Sequence, residues 1–594
     1  MRISPSNPSV MRLAVLLCLA PWFVGPPAAW AQDDIFEDDE TRRHGIFLDS
    51  LDVSLINIEV YAEMDGEPVM DLTVEDFEVF DDGEPVEITH FYRVSGGRRI
   101  EHMASEDAGD EDDGATMEVP GEREPSTLVI LVDHAFLSPG TGKLVYERIS
   151  ERLEDTLALG TRIMVASKDT RVEVVEPLTS DIHAVRQTLQ RLTEKAGLNR
   201  AAEDARAVES ILTEPLAGSS RGGPGGTGAS NSRTTSRLDA RGAMMEARAY
   251  SLERQNEMLR SVDLLRNFLG SLAGVPGRKA LLYVADRLPT RPGELVWQAW
   301  YQKYGFDWGS ELGVTTVDSA LREFDVSSQV QELIADANSN RIAFYPMGIG
   351  ADSGLNLVGA ESRGLTASGR GFSTIRESNR DLQWLAGRTG GRAAIGRGDV
   401  ENFFRGLDTD LTEYYSLAYP SPHRGDGKTH GIEVRVRRPG VKVRYLEEYR
   451  DKSGDHQMAE LTFSSLMLGI EANPLGARVE LGKPKRQKDG FYKLPLEVQV
   501  PMANLVLLPG ESHHSGKLTL ILIVRDTEGG LSDPVRIRLP FEVPHQNLMQ
   551  AMSRSFEYPT ELVLRPGKQV VAVGLRDDLA AIGSTLTVDV EVGP

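Results

Sequence analysis

Cysteine is almost absent from this 594-residue sequence. The one cysteine, Cys18, lies inside an apolar run close to the amino terminus. A chain that loses this run on export keeps no thiol. Disulfides and thiolate metal sites are therefore excluded from the mature protein.

Positive charge is also scarce. The sequence has 65 Lys and Arg against 89 Asp and Glu, which gives a formal net charge of −24. A nucleic-acid-binding protein normally carries a basic patch that neutralises phosphates, and docking on anionic lipid needs similar clusters. The composition therefore predicts no nucleic-acid partner, and it leaves the identity of a protein partner open.

Long apolar runs are missing beyond the amino terminus, where no stretch reaches the roughly 18 residues of a membrane span. Residues 1–31 combine Arg12, the apolar run LAVLLCLAPWFV and the small-x-small sequence Ala29-Trp30-Ala31. This order is typical of a cleaved secretory signal peptide. We therefore expect an exported protein, periplasmic or extracellular, with no membrane span in the mature chain.

Both ends of the mature chain show β patterns. Residues 46–95 form a predicted N-terminal β unit with a turn at Asp82-Gly83, a strong hairpin signal. Residues 96–125 are rich in acidic side chains and are predicted to be a solvated linker. From residue 456 to 594, short strands alternate with turn residues, which is typical of a β-sandwich.

Residues 126–420 alternate strand and helix patterns, which predicts an α/β domain with a doubly wound, mostly parallel sheet covered on both faces. A helix is predicted from about Arg241 to Leu272, and the Gly- and Ser-rich segment 214–239 is predicted to be a flexible insertion. The predicted strands are STLVILVD, TRIMVASK, RVEVVEPL, KALLYVAD, RIAFYPMG and YYSLAY.

Four segments in this order resemble the secreted bacterial proteins described as VWFA-related, which carry a diverged von Willebrand factor A domain. They are PVMDLTVEDFEVFDDGEPVEITHF, GVPGRKALLYVAD, LQWLAGRTGGRA with LTEYYSLAYPSP, and GKTHGIEVRVRRPGVKVRYLEEY. The resemblance implies a von Willebrand A-like, Rossmann-type sheet domain between β units. A further hypothesis is that the hairpin at 421–455 pairs with the N-terminal unit, so that the A domain is inserted into it.

The resemblance also implies a place for Mg²⁺, which A domains hold through a D-x-S-x-S loop, a threonine and a later aspartate. Asp133 matches the first position, but Ala135 and Leu137 replace the serines. Asp286 matches the later aspartate and is followed by Arg287. Two interpretations stay open: the aspartates accept backbone N–H groups or pair with Arg287, or a rebuilt site binds Mg²⁺. No other cofactor is expected.

An aromatic segment, VWQAWYQKYGFDWG, follows Asp286 and should emerge at the carboxyl edge of the sheet, where open α/β folds bind ligands. It is either a partner-binding surface or a lid that packs over the vacated metal position. Its aromatic residues are Trp297, Trp300, Tyr301, Tyr304, Phe306 and Trp308.

No pair of nucleophile and base is visible, so we expect no enzyme. The favoured function is an exported protein-binding or adhesion module with a degenerate metal site. One alternative is a metal-dependent adhesion protein with a rebuilt Mg²⁺ site. The other is a structural scaffold of the cell envelope.

Overall fold

The computed structural model describes residues 55–104, 116–138, 141–158, 160–194, 200–213, 229–348, 380–396 and 400–593. The predicted signal peptide and residues 214–228 of the predicted insertion lie outside these ranges. Residues 229–239 of that insertion begin a helix, so the prediction of a flexible segment is wrong over them. Within them the chain forms several domains of mixed α/β content with five β-sheets. No helix in the described part of the chain is long and apolar enough to cross a membrane.

The first unit contains antiparallel strands joined by tight turns. Asp82 and Gly83 both have positive φ, as a two-residue type I′ hairpin turn requires. The strands are β1 (Leu55–Met64), β2 (Glu67–Pro68), β3 (Phe77–Asp81), β4 (Glu84–Val86), β5 (His90–Ser95), β6 (Arg98–Ala104) and β7 (Thr116–Arg123). Because β6 and β7 pair with each other and extend the sheet of β5, the predicted linker at 96–125 is wrong over those residues. Its acidic centre, 105–115, lies outside the described residues.

The chain then enters a six-stranded sheet of order β10-β9-β8-β11-β12-β13. Its strands are β8 (Ser126–Asp133), β9 (Arg162–Lys168), β10 (Val172–Thr179), β11 (Arg278–Val284), β12 (Ile342–Gly348) and β13 (Ala394–Ile395). All neighbouring strands are parallel except β10, which runs antiparallel to β9. Every residue of β11 is buried, as expected for a strand covered on both faces.

The helices of this region pack on the two faces of the sheet and in a separate apolar cluster. They are α1 (Thr141–Ser150), α2 (Leu153–Ala158), α3 (Ile182–Glu194), α4 (Arg200–Thr213), α5 (Ala229–Ser271), α6 (Glu294–Trp300), α7 (Phe306–Trp308), α8 (Val317–Leu321), α9 (Ser327–Ser339) and α10 (Val400–Thr412), with a further helical segment at 380–388. One apolar core contains residues of α5 and α9, and the other contains residues of α1, α3 and α10. The strand order reverses between β8 and β11, so their carboxyl ends flank a crevice.

The chain next returns to the first unit through β14 (Tyr414–Pro420), β15 (Thr429–Val436), β16 (Lys442–Arg444) and β17 (Glu448–Arg450). Strand β14 lies between β1 and β5, and β15 pairs with β3. The pairing proposed for the segment 421–455 is therefore present. Two details differ from the prediction: β14 belongs to the first unit rather than to the α/β sheet, and β16 pairs with β1 rather than with β15.

The carboxyl-terminal region opens with a helix that the all-β prediction missed, α11 (Gly454–Leu468). Its signals are Ser453, which caps the first turn, and Gly469, which has φ 66° after the last turn. The strands are β18 (Arg478–Leu481), β19 (Lys485–Arg486), β20 (Tyr492–Pro501), β21 (Leu508–Pro509), β22 (His513–Asp526), β23 (Val535–Pro544), β24 (Ser555–Leu564), β25 (Gly567–Asp577) and β26 (Ile582–Val592), with the short helix α12 (Leu548–Met552) between β23 and β24. These strands form two antiparallel sheets that share one apolar core.

Candidate functional site at the carboxyl edge of the central sheet

Asp133 is the last residue of β8, and its side chain is fully buried. The ammonium of Lys168, at the end of the adjacent β9, lies 3.0 Å from Oδ1 and 2.9 Å from Oδ2 of Asp133. From β11 on the other side, the Tyr283 hydroxyl donates to Oδ2 at 2.6 Å, and the Ala135 backbone N–H donates to Oδ1 at 3.1 Å. Neighbouring strands on both sides therefore satisfy the carboxylate inside the protein.

Tyr283 and Lys168 are both buried beside Asp133. Burial raises the pKa of Tyr283 well above its usual value, and the negative charge of Asp133 raises it further, so the phenol remains a hydrogen-bond donor. Lys168 also lies 5.2 Å from the ring centroid of Phe136, within the range of a cation–π contact. The lysine side chain is only 1% exposed.

The Mg²⁺ shell implied by the resemblance does not fit these residues. Mg²⁺ needs close to six oxygen ligands at about 2.0–2.1 Å. Ala135 and Leu137 have no side-chain oxygen, and the Lys168 ammonium contacts both oxygens of the one carboxylate that a metal would share. Lys168 was not predicted as a site residue, although it ends the predicted strand TRIMVASK just as Asp133 ends STLVILVD.

Asp286 and Arg287 follow β11, and their side chains contact different parts of the protein. Asp286 Oδ2 accepts a hydrogen bond from the Ser138 backbone N–H at 2.7 Å, and its own N–H donates to the Phe136 carbonyl at 3.0 Å. These bonds tie the exit of β11 to the loop after β8. The Arg287 guanidinium pairs instead with Asp204 of α4, at 2.5 Å, so the suggested pairing of Arg287 with Asp133 or Asp286 is wrong. The other suggestion, that both aspartates accept backbone N–H groups, agrees with the structure.

A cleft opens at this edge of the sheet, beside Arg287. Its wall includes Asp381, which accepts hydrogen bonds at 3.0 Å from both the backbone N–H and the hydroxyl of Thr290. Burial raises the pKa of Asp381 to about 6, against the effect of these bonds. Other lining residues are Phe136, Tyr250, Pro289, Arg291 and Leu295. The cleft therefore combines apolar walls with ionisable groups.

The aromatic segment does lie near this edge, but most of it faces inward. The side chains of Trp297, Trp300, Tyr304 and Trp308 are buried in one apolar cluster with residues of α4 and α5. The indole of Trp297 donates to Ser251 Oγ at 3.0 Å, and that of Trp300 donates to the Ala240 carbonyl at 2.9 Å. The predicted partner-binding surface is therefore wrong for these four residues, because their burial gives them a packing role.

Two aromatic side chains of the segment remain accessible. Phe306 is fully exposed, and Tyr301 is partly buried with its hydroxyl donating to the Thr315 carbonyl at 2.8 Å. The segment passes through a π-helical turn at Tyr301–Gly305, which rotates Phe306 away from the buried side of the cluster. Phe306 is thus the residue of the predicted surface that is most available to a partner.

No protein-family model and no curated protein matches this sequence. Among solved structures, the pilus adhesin SpaC from Lactobacillus rhamnosus GG is 9% identical with a TM-score of 0.23, over 78% of this chain and 57% of that chain. A β-glucuronidase from Bacteroides uniformis is 11% identical with a TM-score of 0.14, over 32% of this chain and 20% of that chain. A Northeast Structural Genomics Consortium target is 16% identical with a TM-score of 0.15, over 20% of this chain and 86% of that chain. Likeness at this level assigns the chain to no family.

Proposed function

We propose that this chain is an exported, non-enzymatic binding protein. Its α/β domain is a diverged von Willebrand A domain that recognises a protein partner at the carboxyl edge of the sheet without a metal ion. The signal-like segment at residues 1–31 supports export. The strand order β10-β9-β8-β11-β12-β13 and the four sequence segments support the relationship to A domains.

The observation that carries the proposal is the ion pair of Lys168 with Asp133. In a metal-binding A domain, a carboxylate of the partner completes the coordination of the cation at this position. Here a lysine of the protein itself neutralises Asp133, and both groups are buried. A partner carboxylate therefore finds no open coordination position, and recognition falls to groups on the surface around the cleft.

The cleft and its rim offer such groups. Arg291 lines the cleft and pairs with Glu294 at 3.4 Å and with Asp318, whose side chain is 76% exposed. Exposed ion pairs contribute little stability and exchange partners readily, so a charged partner can compete for Arg291. Phe306 adds a fully exposed aromatic ring in the segment that continues from the cleft-lining residues 293–296. Aromatic and arginine side chains are the residue types most often found at binding hot spots.

Site-specific photocrosslinking in the native host tests the proposal. A photoreactive residue replaces Phe306 or Arg291, and a control replaces exposed Arg162 at the amino end of β9. We expect a discrete adduct from the Phe306 and Arg291 positions, undiminished by EDTA, and none from the control. Equal adducts from all three positions would contradict the proposed surface.

The alternative with a rebuilt Mg²⁺ site makes the opposite prediction. In that case, EDTA abolishes the adducts and added Mg²⁺ restores them. The envelope-scaffold alternative predicts that deleting residues 456–594 abolishes assembly, while variants of the cleft have no effect.

A further inference from the structure

Two aspartates and two histidines meet where the β3–β4 turn lies against the chain that returns from the α/β domain. Asp81 ends β3, Asp82 begins the turn, His423 follows β14, and His430 lies in β15. We propose that this His–Asp cluster (Asp81, Asp82, His423 and His430) binds one divalent transition-metal ion such as Zn²⁺. The site lies in the first unit and is separate from the carboxyl edge of the central sheet.

The spacing of the donor atoms suits one small ion. His423 Nε2 lies 2.9 Å from Asp81 Oδ1 and 3.8 Å from Asp82 Oδ2, and His430 Nδ1 lies 2.8 Å from Asp82 Oδ2. One ligand atom from each of the four residues lies within 4.8 Å of all the others. A tetrahedral Zn²⁺ with bonds of about 2.0–2.1 Å places its ligands roughly 3.3 Å apart. The cluster therefore needs only small adjustments in these distances.

Outer hydrogen bonds already orient the ligands. Asp81 turns its other oxygen, Oδ2, to the hydroxyls of Tyr419 and Tyr449, both at 2.8 Å. His430 places its second ring nitrogen, Nε2, 3.0 Å from Asp426 Oδ1. Metal-binding histidines and carboxylates characteristically have such second partners, which fix the ring orientation and raise the basicity of the ligand. Asp81 and His430 thus each have one polar atom held by the protein and one aimed into the cluster.

One of the two histidine rings must rotate when an ion binds. They are stacked, with centroids 3.4 Å apart and planes inclined by 8°. The lone pair of a ring nitrogen lies in the plane of its ring, so two parallel rings cannot both point at one ion. His423 is 22% exposed against 7% for His430, and the ring torsion of histidine is soft. His423 is therefore the ring that rotates.

The ligand types select the class of ion. Imidazole nitrogen favours Zn²⁺ and its transition-metal neighbours over Mg²⁺ and Ca²⁺, which prefer shells made entirely of oxygen. Four protein ligands complete a tetrahedron, as in structural rather than catalytic zinc sites. The ligands also join distant parts of the chain, since Asp81 and His423 are 342 residues apart. The bound ion would fasten the amino-terminal strands to the returning segment.

Calorimetric titration of Zn²⁺ into the purified, chelator-treated full chain tests the proposal. We expect one saturable equivalent, and at least a 100-fold loss of affinity in a His423→Ala/His430→Ala double variant. The matched control is His514→Ala/His545→Ala, which removes another close histidine pair, with ring centroids 4.7 Å apart, in the carboxyl-terminal domain. That control should bind Zn²⁺ as the unchanged chain does. If the control loses the bound Zn²⁺ and the His423→Ala/His430→Ala variant retains it, the assignment is overturned.

A spectroscopic readout on the unchanged chain keeps the test decisive if the double variant misfolds. Co²⁺ bound to two nitrogens and two oxygens in a tetrahedral site gives intense visible d–d absorption, which Zn²⁺ removes by competition. The conservative variant Asp82→Asn changes an exposed side chain and should weaken Co²⁺ binding at least tenfold while the circular dichroism is unchanged. Absence of a tetrahedral Co²⁺ spectrum in the unchanged chain would refute the proposal.

Discussion

Asp133 and Lys168 form a buried ion pair at the carboxyl edge of the central sheet. Both are almost completely buried, so each would be costly to keep charged without the other. The lysine supplies one positive charge and contacts both carboxylate oxygens, while Tyr283 and the Ala135 N–H complete the hydrogen bonding. Under the proposed function, this pair keeps the site electrically balanced without a metal ion.

Substituting Lys168 by methionine should destabilise the protein by about 3–5 kcal/mol, because it leaves a buried carboxylate without its partner. The double variant Lys168→Met/Asp133→Leu should recover most of that loss, because it removes both charges. The control Lys143→Met changes a lysine that is 86% exposed and should cost less than about 1 kcal/mol. Urea denaturation measures all three, and a neutral Lys168→Met would contradict the account of this pair.

The pair of Glu460 with Lys452 predicts a pH dependence of stability. Burial acts to raise the pKa of Glu460, but the Lys452 ammonium 2.7 Å away and the neighbouring His456 together outweigh it and hold that pKa at about 2. A carboxyl whose pKa is lower in the folded state contributes stability above its unfolded pKa of about 4.3. This contribution, about 3 kcal/mol at 1.36 kcal/mol per pH unit, is lost as the pH falls from about 4.3 towards 2.

Glu460→Gln should therefore flatten the fall in stability between pH 4.3 and 2, as followed by denaturation at a series of pH values. The control Glu433→Gln changes an exposed glutamate that forms an ion pair with Arg435, and it should leave that slope unchanged. An unchanged slope in Glu460→Gln would show that the Lys452 pair does not control acid stability.

At the scale of elements, the sequence predicted the buried strands well and their partners less well. The continuous apolar runs of β8, β11 and β12 identify strands covered on both faces, and all three were predicted. YYSLAY has the same local pattern, yet β14 pairs with β1, whose residues lie more than 350 positions earlier. Local periodicity carries no information about which sheet receives a strand. The His–Asp cluster was missed because it depends on such long-range pairing, whereas the Lys168 pair joins the ends of two strands and its residues are only 35 positions apart.

The aromatic segment gives a test at the same scale. Trp300→Ala should cost about 3–5 kcal/mol, because a fully buried indole is removed from the core between α5 and α6. Phe306→Ala should change stability by less than about 0.5 kcal/mol, since this ring is fully exposed. Thermal unfolding of the two variants compares them directly, and equal costs would contradict the packing described.

At the scale of the whole molecule, the α/β domain is inserted into the first unit, and buried charges join the two. Glu59 of β1 accepts from Arg341 at 3.0 and 2.7 Å and lies 3.3 Å from the fully buried Arg278. Arg278 in turn donates to the hydroxyl of Tyr345 at 2.6 Å. A network of this kind makes the two units depend on each other for stability.

Glu59→Gln should lower stability by about 3–5 kcal/mol, because it leaves two arginines undercompensated at the buried junction. Glu63→Gln on the same strand is the control: Glu63 is 26% exposed and pairs with one arginine, so its loss should cost less than about 1 kcal/mol. Hydrogen exchange should also quicken in both β1 and β12 in the Glu59 variant. Faster exchange confined to β1 would show that the units are not coupled through Glu59.

The proposed function requires that Lys168 occupies the place that a cation holds in a metal-binding A domain. Calorimetric titration of Mg²⁺ into the full chain, with Asp133→Ala alongside, tests it most directly. The account predicts no saturable heat and no change in melting temperature on adding Mg²⁺ to the unchanged chain. Saturable Mg²⁺ binding that the Asp133→Ala substitution removes would contradict it.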